Sequence, residues 1–161
     1  MKKPVTTANA IERLEALCCR SEQCSGDMRR KLLTWGITGS RADDIINRLT
    51  EHGFVDDRRF ACAYARDKYR FNGWGRNKII TALIARRIPK SHIEEALGEI
   101  DTRQYAMAAL KALSGKLKTI PSDTPLHETR QKLYRFGLQR GYESVLITRI
   151  INSRKLWLTT D

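Results

Sequence analysis

No stretch of this 161-residue sequence holds the roughly 20 consecutive apolar residues that a membrane-spanning helix needs, because charge interrupts every apolar run within a few residues. The opening Met1-Lys2-Lys3-Pro4 is basic but leads into Thr, Ala and Asn, not into the apolar core of a signal peptide. A cytoplasmic protein without membrane contact is the expectation. Metal-ligating residues are also sparse. Cys18, Cys19, Cys24 and Cys62 follow no paired zinc spacing, the adjacent pair cannot easily bridge itself, and His52, His92 and His127 lie far from them in sequence. Reduced thiols on or near helix faces are expected, with no metal and no cofactor. Missing too is any sustained alternation of apolar and polar residues, which removes the usual signal for strands.

What the sequence does carry is helical periodicity. Ile11, Leu14, Leu17 and Cys18 recur at spacings of three and four, as do Met28, Leu32 and Leu33, then Ile79, Ile80, Leu83 and Ile84, and finally Leu146, Ile147, Ile150 and Ile151. Breakers stand where such helices should end: Gly36, Gly53, Pro89 and Gly141. Asp56 and Asp57 are N-cap candidates for a helix through Phe60, and Thr124-Pro125 reads as a cap followed by a first-turn proline. The connector from about Gly115 to Asp123 is the expected joint. At 41% hydrophobic residues, the chain can give each helix one apolar face but not a thick layered core.

The helices repeat. Ile79, Leu83, Ile84 and Ile88 fall on Leu133, Gly137, Leu138 and Tyr142 at a constant offset of 54, and the same register carries Lys78 onto Lys132 and Arg86 onto Arg140. Met28, Leu32, Leu33 and Ile37 fit that frame at an offset of 51, while Phe60 falls over Tyr105 and Asp56 over Asp101. The expectation is an all-α protein of about nine helices in three tandem three-helix repeats. A tail over 1–8 precedes repeats at 9–52, 53–99 and 100–152, and a second tail covers 153–161. Such units bury their apolar faces only by stacking, which predicts an elongated, curved molecule. Gly137 stands inside a helix where its counterparts are Leu83 and Leu32, so the third repeat is either looser or packs a neighbour closely.

The formal net charge is +12, and it grows along the chain from +2 over residues 1–52 to +4 over 53–99 and +6 over 100–161. A field of that sign draws in polyanions and acidic protein surfaces. Arg76 and Lys78 open a predicted helix, where the helix dipole favours acids, so their placement suits an anion met jointly by exposed amides and cations. Arg86 and Arg87 close the same helix, where cations also sit favourably for the helix alone. Arg66, Lys68 and Arg70 add charge before the Gly73-Trp74-Gly75 turn. Trp74 reads as a stacking or protein-contact anchor, or as a residue packed between repeats with its flanking glycines letting backbones approach. Phe60, Tyr105 and Tyr142 read as core. Asp56 and Asp57 point in different directions and have no third acid or histidine nearby, so capping explains them better than catalysis. Gly73-x-Gly75 lacks the Gly-Lys-Ser/Thr ending of a phosphate loop. No serine or cysteine sits in a recognisable nucleophile context, and no enzyme is expected.

The run Gly53-Phe54-Val55-Asp56-Asp57-Arg58-Arg59-Phe60-Ala61, then Gly73-Trp74-Gly75 with the helix bearing Lys78 and Ile79, and late Leu138-Gln139-Arg140-Gly141-Tyr142 backed by Ile147 and Ile151 resembles the RecX family of regulators of the RecA recombinase. The resemblance covers about Ala10 to Ile151. It implies three tandem three-helix repeats that bind the RecA filament and inhibit or modulate its ATP hydrolysis, strand exchange and co-protease activity in DNA repair and the SOS response. Under that reading Arg66, Lys68, Arg70, Trp74, Arg76, Lys78, Arg86, Arg87, Lys132, Arg135 and Arg140 form the partner-binding set. Asp56, Asp57, Phe60, Gly73, Gly75, Gly141 and Tyr142 hold the repeats together. The protein is expected as a monomer whose partners are the RecA filament and, by direct contact, single- or double-stranded DNA. A basic helical DNA-binding protein acting without RecA is the alternative.

Overall fold

The structure is a computed structural model that describes residues 5–158. Those residues contain ten α-helices and no strand: α1 (Thr7–Arg20), α2 (Ser25–Thr34), α3 (Gly39–Glu51), α4 (Asp57–Phe71), α5 (Arg76–Ala85), α6 (Lys90–Gly98), α7 (Thr102–Leu117), α8 (Leu126–Gln139), α9 (Ser144–Ile151) and α10 (Arg154–Leu158). They form two compact units. One takes in residues up to Ala63 together with Leu83–Ala96, and the other Tyr64–Ala82 together with residues from Leu97 onward.

The first unit is built on the apolar faces anticipated from periodicity. Ala10, Leu14, Met28, Leu32, Ile37, Ile45, Ile46 and Leu49 bury together, with Leu17, Trp35 and Phe54 packed against them. In the second unit Ile79, Tyr105, Ala109, Leu113, Leu133, Tyr142 and Ile147 are at most 1% exposed. Tyr69, Tyr105 and Tyr142 run edge-on through that core, with ring centroids 6.1 and 5.7 Å apart. Such tilted contacts suit the ring quadrupoles.

Three helices start in the same way. Thr6 Oγ1 accepts from the Asn9 amide at 3.3 Å, Asp56 Oδ1 from Arg59 at 2.9 Å and Asp101 Oδ1 from Gln104 at 2.7 Å. Each satisfies one of the amides a helix start leaves without a partner. Asp57 does something else. Its carboxylate accepts from the Ser25 amide at 2.7 Å and the Ser25 hydroxyl at 2.6 Å, capping α2, whose own N-cap Cys24 makes no side-chain bond. Of the two adjacent acids, one caps its own helix and the other caps a helix 32 residues earlier.

Three helix ends also match. Gly36 and Ile37 donate to Leu33 and Leu32, Arg87 and Ile88 to Ile84 and Leu83, Gly141 and Tyr142 to Leu138 and Gly137. The turning residue is left-handed each time, with φ of 76° at Gly36, 59° at Arg87 and 88° at Gly141. This is the closure that glycine makes without steric cost. It falls at the offsets of 51 and 54 set by the apolar residues, so the repeat holds in backbone conformation as well as in hydrophobicity.

Within each unit the start of one helix meets the end of another with no side chain between. A Cβ at Gly26, in the first turn of α2, would lie 2.1 Å from the Arg86 carbonyl oxygen beyond α5. A Cβ at Gly75, just before α5, would lie 2.2 Å from the Gly141 carbonyl, and one at Gly141 would lie 2.4 Å from Lys78. The second joint is also hydrogen-bonded: Gly75 N donates to Arg140 O at 2.7 Å and Asn77 N to Gly141 O at 3.0 Å. Unpaired amides at one helix start thereby meet unpaired carbonyls at another helix end. Gly137 proves to be the closely packed alternative, since a Cβ there would come 2.8 Å from the Ile147 side chain.

The structure departs from expectation in four places. Pro125, not Thr124, is the N-cap of α8, so the proline sits one residue before the first turn. Helix α7 runs on to Leu117, two residues past the start of the expected joint, because Leu113 and Leu117 stay buried. The C-terminal segment contributes a tenth helix: Leu156 is fully buried and the Trp157 indole donates to Ile151 O at 2.9 Å. Likewise α1 begins at Thr7, inside the stretch expected as the first tail; of the two expected tails, residues 1–4 and 159–161 lie outside the described residues.

Gly141→Ala should therefore cost about 1–2 kcal/mol for the left-handed backbone and a further roughly 1–3 kcal/mol for overpacking against Lys78. Gly98→Ala, on an open helix face, should cost nothing or stabilise. Urea unfolding of the two variants checks the contrast; equal midpoints would refute the joint.

Candidate functional site

The second unit carries most of the cations singled out from sequence. Lys68 and Lys78 both lie against Trp74, with ammonium groups 4.8 and 4.5 Å from the ring centroid, and Lys68 is also 5.1 Å from the Tyr64 ring. Tyr64 meets Trp74 edge-on at 6.4 Å. Trp74 is half-buried, so the indole is neither a core residue nor a free platform; it organises two ammonium groups at the surface.

Beside the Gly73 turn opens a groove of about 450 Å³. Its lining includes the cations Arg70, Lys111, Lys116 and Arg140 and the aromatics Tyr69, Phe71 and Phe136, with no acidic residue. The α7 side of it is formed by Ala108, Ala112 and Gly115, small residues on one helix face that leave room for a flat group. Phe71 is 81% exposed. Arg140 and Lys116 lie 5.2 and 5.7 Å from the Phe136 ring, and Arg140 also donates to Asn72 O at 2.9 Å. Arg70 donates to Gln104 at 2.9 Å and to the Tyr69 hydroxyl at 3.1 Å. Four cations, the exposed Phe71 ring beside half-buried Phe136, and no competing carboxylate make a surface able to take phosphates and stack a base.

Arg76 is engaged inside its own unit. Its guanidinium pairs with Glu143 at 3.0 Å and lies 4.0 Å over the Tyr105 ring. Its amide donates to the Tyr105 hydroxyl at 2.9 Å, and that hydroxyl donates onward to Glu143 at 2.7 Å. Tyr105 thus ties the first turn of α5 to the start of α9. Burial works to raise the Glu143 carboxyl, but the Tyr105 and Arg76 hydrogen bonds outweigh it and hold the group below the usual range. Burial pushes the Tyr142 phenol up to about 12, and its hydroxyl has no partner among the described residues.

The remaining singled-out cations stand apart from these clusters. Arg86 pairs with Asp27 at 3.2 Å. Arg87, Lys132 and Arg135 are exposed, and Arg66 sits 3.8 Å from its neighbour Asp67. Phe60, Tyr105 and Tyr142 are buried, as are Gly75 and Gly141. Sequence reasoning missed Phe71, Lys111, Lys116, Phe136 and Glu143. The groove face of α7 was visible as Ala108, Lys111, Ala112, Gly115, Lys116 and Thr119 at helical spacing; Glu143 carried no local signal, since its partners lie 67 and 38 residues away. Among the described residues no group of three or more His, Cys, Asp or Glu could hold a metal ion, and no helix is long and apolar enough to cross a membrane.

Because the folded Glu143 carboxyl is depressed, its contribution to stability is complete above about pH 4.3 and is lost as pH falls through the folded value. Glu143→Gln should lower Tm at pH 7, and its gap from the wild type should close below about pH 4. Thermal melts across pH 3–7 read this directly; a constant gap would dissociate Glu143 from the network.

Residues 56–97 match the family model described as RecX, second three-helix domain. The regulatory protein RecX of Xanthomonas axonopodis pv. citri is 30% identical over 135 residues, which are 83% of this chain and 80% of that protein. Its counterpart in Clostridium botulinum strain Eklund 17B is 29% identical over 133 residues, 82% of this chain. The chain spans only 62% of the length of that clostridial relative. Among solved structures, one of regulatory protein RecX superposes with a TM-score of 0.79 at 22% identity, covering 91% of this chain and 72% of that one. RecX from Lactobacillus salivarius gives 0.74 at 21% identity, covering 94% and 99%. These two share the all-helical fold. The Xanthomonas match, at 30% identity over four-fifths of both sequences, carries the conclusion that this chain belongs to the RecX family of regulatory proteins.

Proposed function

We propose that the protein is a non-catalytic regulator that binds a RecA filament on single-stranded DNA and restrains its ATP hydrolysis, strand exchange and co-protease activity. DNA repair and the SOS response are the processes it would tune. The observation that carries this reading, beyond family membership, is the acid-free groove of the second unit, where four cations line the same walls as the exposed Phe71 ring and the half-buried Phe136 ring. A nucleoprotein filament offers phosphates, bases and protein surface to such a site at once. The mechanism is occupancy: bound protein obstructs the subunit movements coupled to ATP turnover. Of the sequence-selected docking residues, Arg66, Lys68, Arg70, Trp74, Lys78, Arg87, Lys132, Arg135 and Arg140 would face the partner. Arg76 and Arg86 would act mainly by holding the fold, since Glu143 and Asp27 engage them. The same groove also favours a second reading, direct DNA binding without RecA.

Titrating the protein into RecA with single-stranded DNA separates the two. Strong loss of ATPase rate well below stoichiometry supports filament regulation; loss only when the protein can coat the DNA supports the second reading. No effect at any ratio refutes regulation of this activity. Lys111→Glu with Lys116→Glu should weaken binding to single-stranded DNA by about tenfold or more, and flatten its salt dependence by about two charges, without lowering Tm. Unchanged affinity would exclude the groove as the nucleic-acid contact.

A further inference from the structure

Arg87 is the one non-glycine with positive φ among the described residues. Its counterparts at the two other helix ends are Gly36 and Gly141, with the same pair of hydrogen bonds and the same left-handed turn. The turn therefore asks for glycine, and an arginine there gives up backbone ease. That sacrifice is of no use to the helix, whose carbonyls are already satisfied by the Arg87 and Ile88 amides. The side chain is exposed and makes no ion pair among the described residues, so packing does not explain it either.

Its surroundings do. Arg87 lines a groove of about 260 Å³ in the first unit, together with Gly26, Arg29, Arg30, Leu33, Ala85 and Arg86. Four guanidiniums and no lysine line it, and no acid does. Close approach of the two backbones at Gly26 and Arg86 brings the arginines of α2 beside those that follow α5. Their forks are already set for carboxylates: Asp27 takes both Arg30 and Arg86, and Asp43 takes Arg29 at 2.5 Å. Leu33 is 62% exposed in the midst of this charge. There is no aromatic ring in the lining on which a base could stack.

We infer that this groove docks an acidic, leucine-bearing segment of a partner protein, with Arg87 held in a strained turn because its guanidinium is the unengaged receptor for a carboxylate. Arginine is enriched at protein-binding hot spots, its planar fork suits bidentate carboxylate recognition, and the exposed Leu33 offers apolar area for a partner to bury. A phosphate backbone would satisfy the charge but leave Leu33 uncovered. The inference deepens the proposed function by giving Arg87 a protein carboxylate to meet, and its test uses no RecA, so the two readings can fail separately.

The test measures fluorescence anisotropy of two labelled probes, a 12-residue peptide alternating glutamate and leucine pairs and a single-stranded oligonucleotide, with wild type, Arg87→Gly and Leu33→Ser. Peptide affinity should fall roughly tenfold in Arg87→Gly and measurably in Leu33→Ser, while oligonucleotide affinity is unchanged. Tm of Arg87→Gly should hold or rise by about 2 °C, an outcome that a structural arginine would not give. A wild type that fails to bind the peptide at low salt overturns the inference. So does loss of oligonucleotide binding with the peptide unaffected, which would make the groove a phosphate site. A fall in Tm with both affinities intact likewise overturns it, leaving Arg87 structural.

Discussion

Helix ends set the terms for this protein. A short helix spends a large share of its backbone on amides and carbonyls with no internal partner, and the ten helices among the described residues would be crippled by leaving them buried and unmet. The solution repeated here is to press a helix start against another helix's end: Gly26 against the Arg86 carbonyl in one unit, Gly75 and Asn77 against Arg140 and Gly141 in the other. The approach is possible only where no Cβ intervenes, so glycine at these points is a packing requirement rather than a flexible link. Thr6, Asp56 and Asp101 cap the starts of their own helices, and Asp57 and Tyr105 reach the starts of α2 and α5 from elsewhere in the chain, whereas α3, α8 and α9 begin without a side-chain cap.

This constraint also shapes the charged surface. Once backbone joints fix where helices end, the residues flanking those ends are carried to the same places, and they are mostly arginine, lysine and aromatic residues. The Gly73-Trp74-Gly75 turn positions an indole with two ammonium groups on it. The stretch around Gly141 brings Arg140 to the groove and Glu143 to Arg76. Cations engaged by carboxylates of their own unit and cations left at the surface are therefore interleaved along one stretch of sequence, and only those carboxylates tell them apart.

Much of the fold could be read from the chain because it is written in local patterns. The apolar spacing marks the helices, and its constant offsets of 51 and 54 are the ones at which the left-handed turns of Gly36, Arg87 and Gly141 recur. What could not be read depended on contacts between distant residues. Asp57 looked like a cap for the helix it opens, yet it caps α2, because nothing local says that Ser25 comes within 2.7 Å. Arg76 looked free to meet a partner until Tyr105 and Glu143 closed on it. The segment at 154–158 was mistaken for a tail because one turn of helix has no visible period; its burial of Leu156 is a tertiary decision. Phe71 drew no notice, since a lone exposed aromatic is ordinary until a groove is found beside it.

Each of the three tryptophans lies beside a cation: Trp35 under Arg13 at 5.7 Å, Trp74 with Lys68 and Lys78, and Trp157 near Arg130 at 6.0 Å. Trp35 belongs to the first unit, Trp74 and Trp157 to the second. Indole emission shifts with the charge held at its ring, so any anion that draws those cations away rewrites the protein's own fluorescence. The chain thus carries built-in optical reporters in both of its units, with the doubly flanked Trp74 the most sensitive to whatever settles on the surface around it.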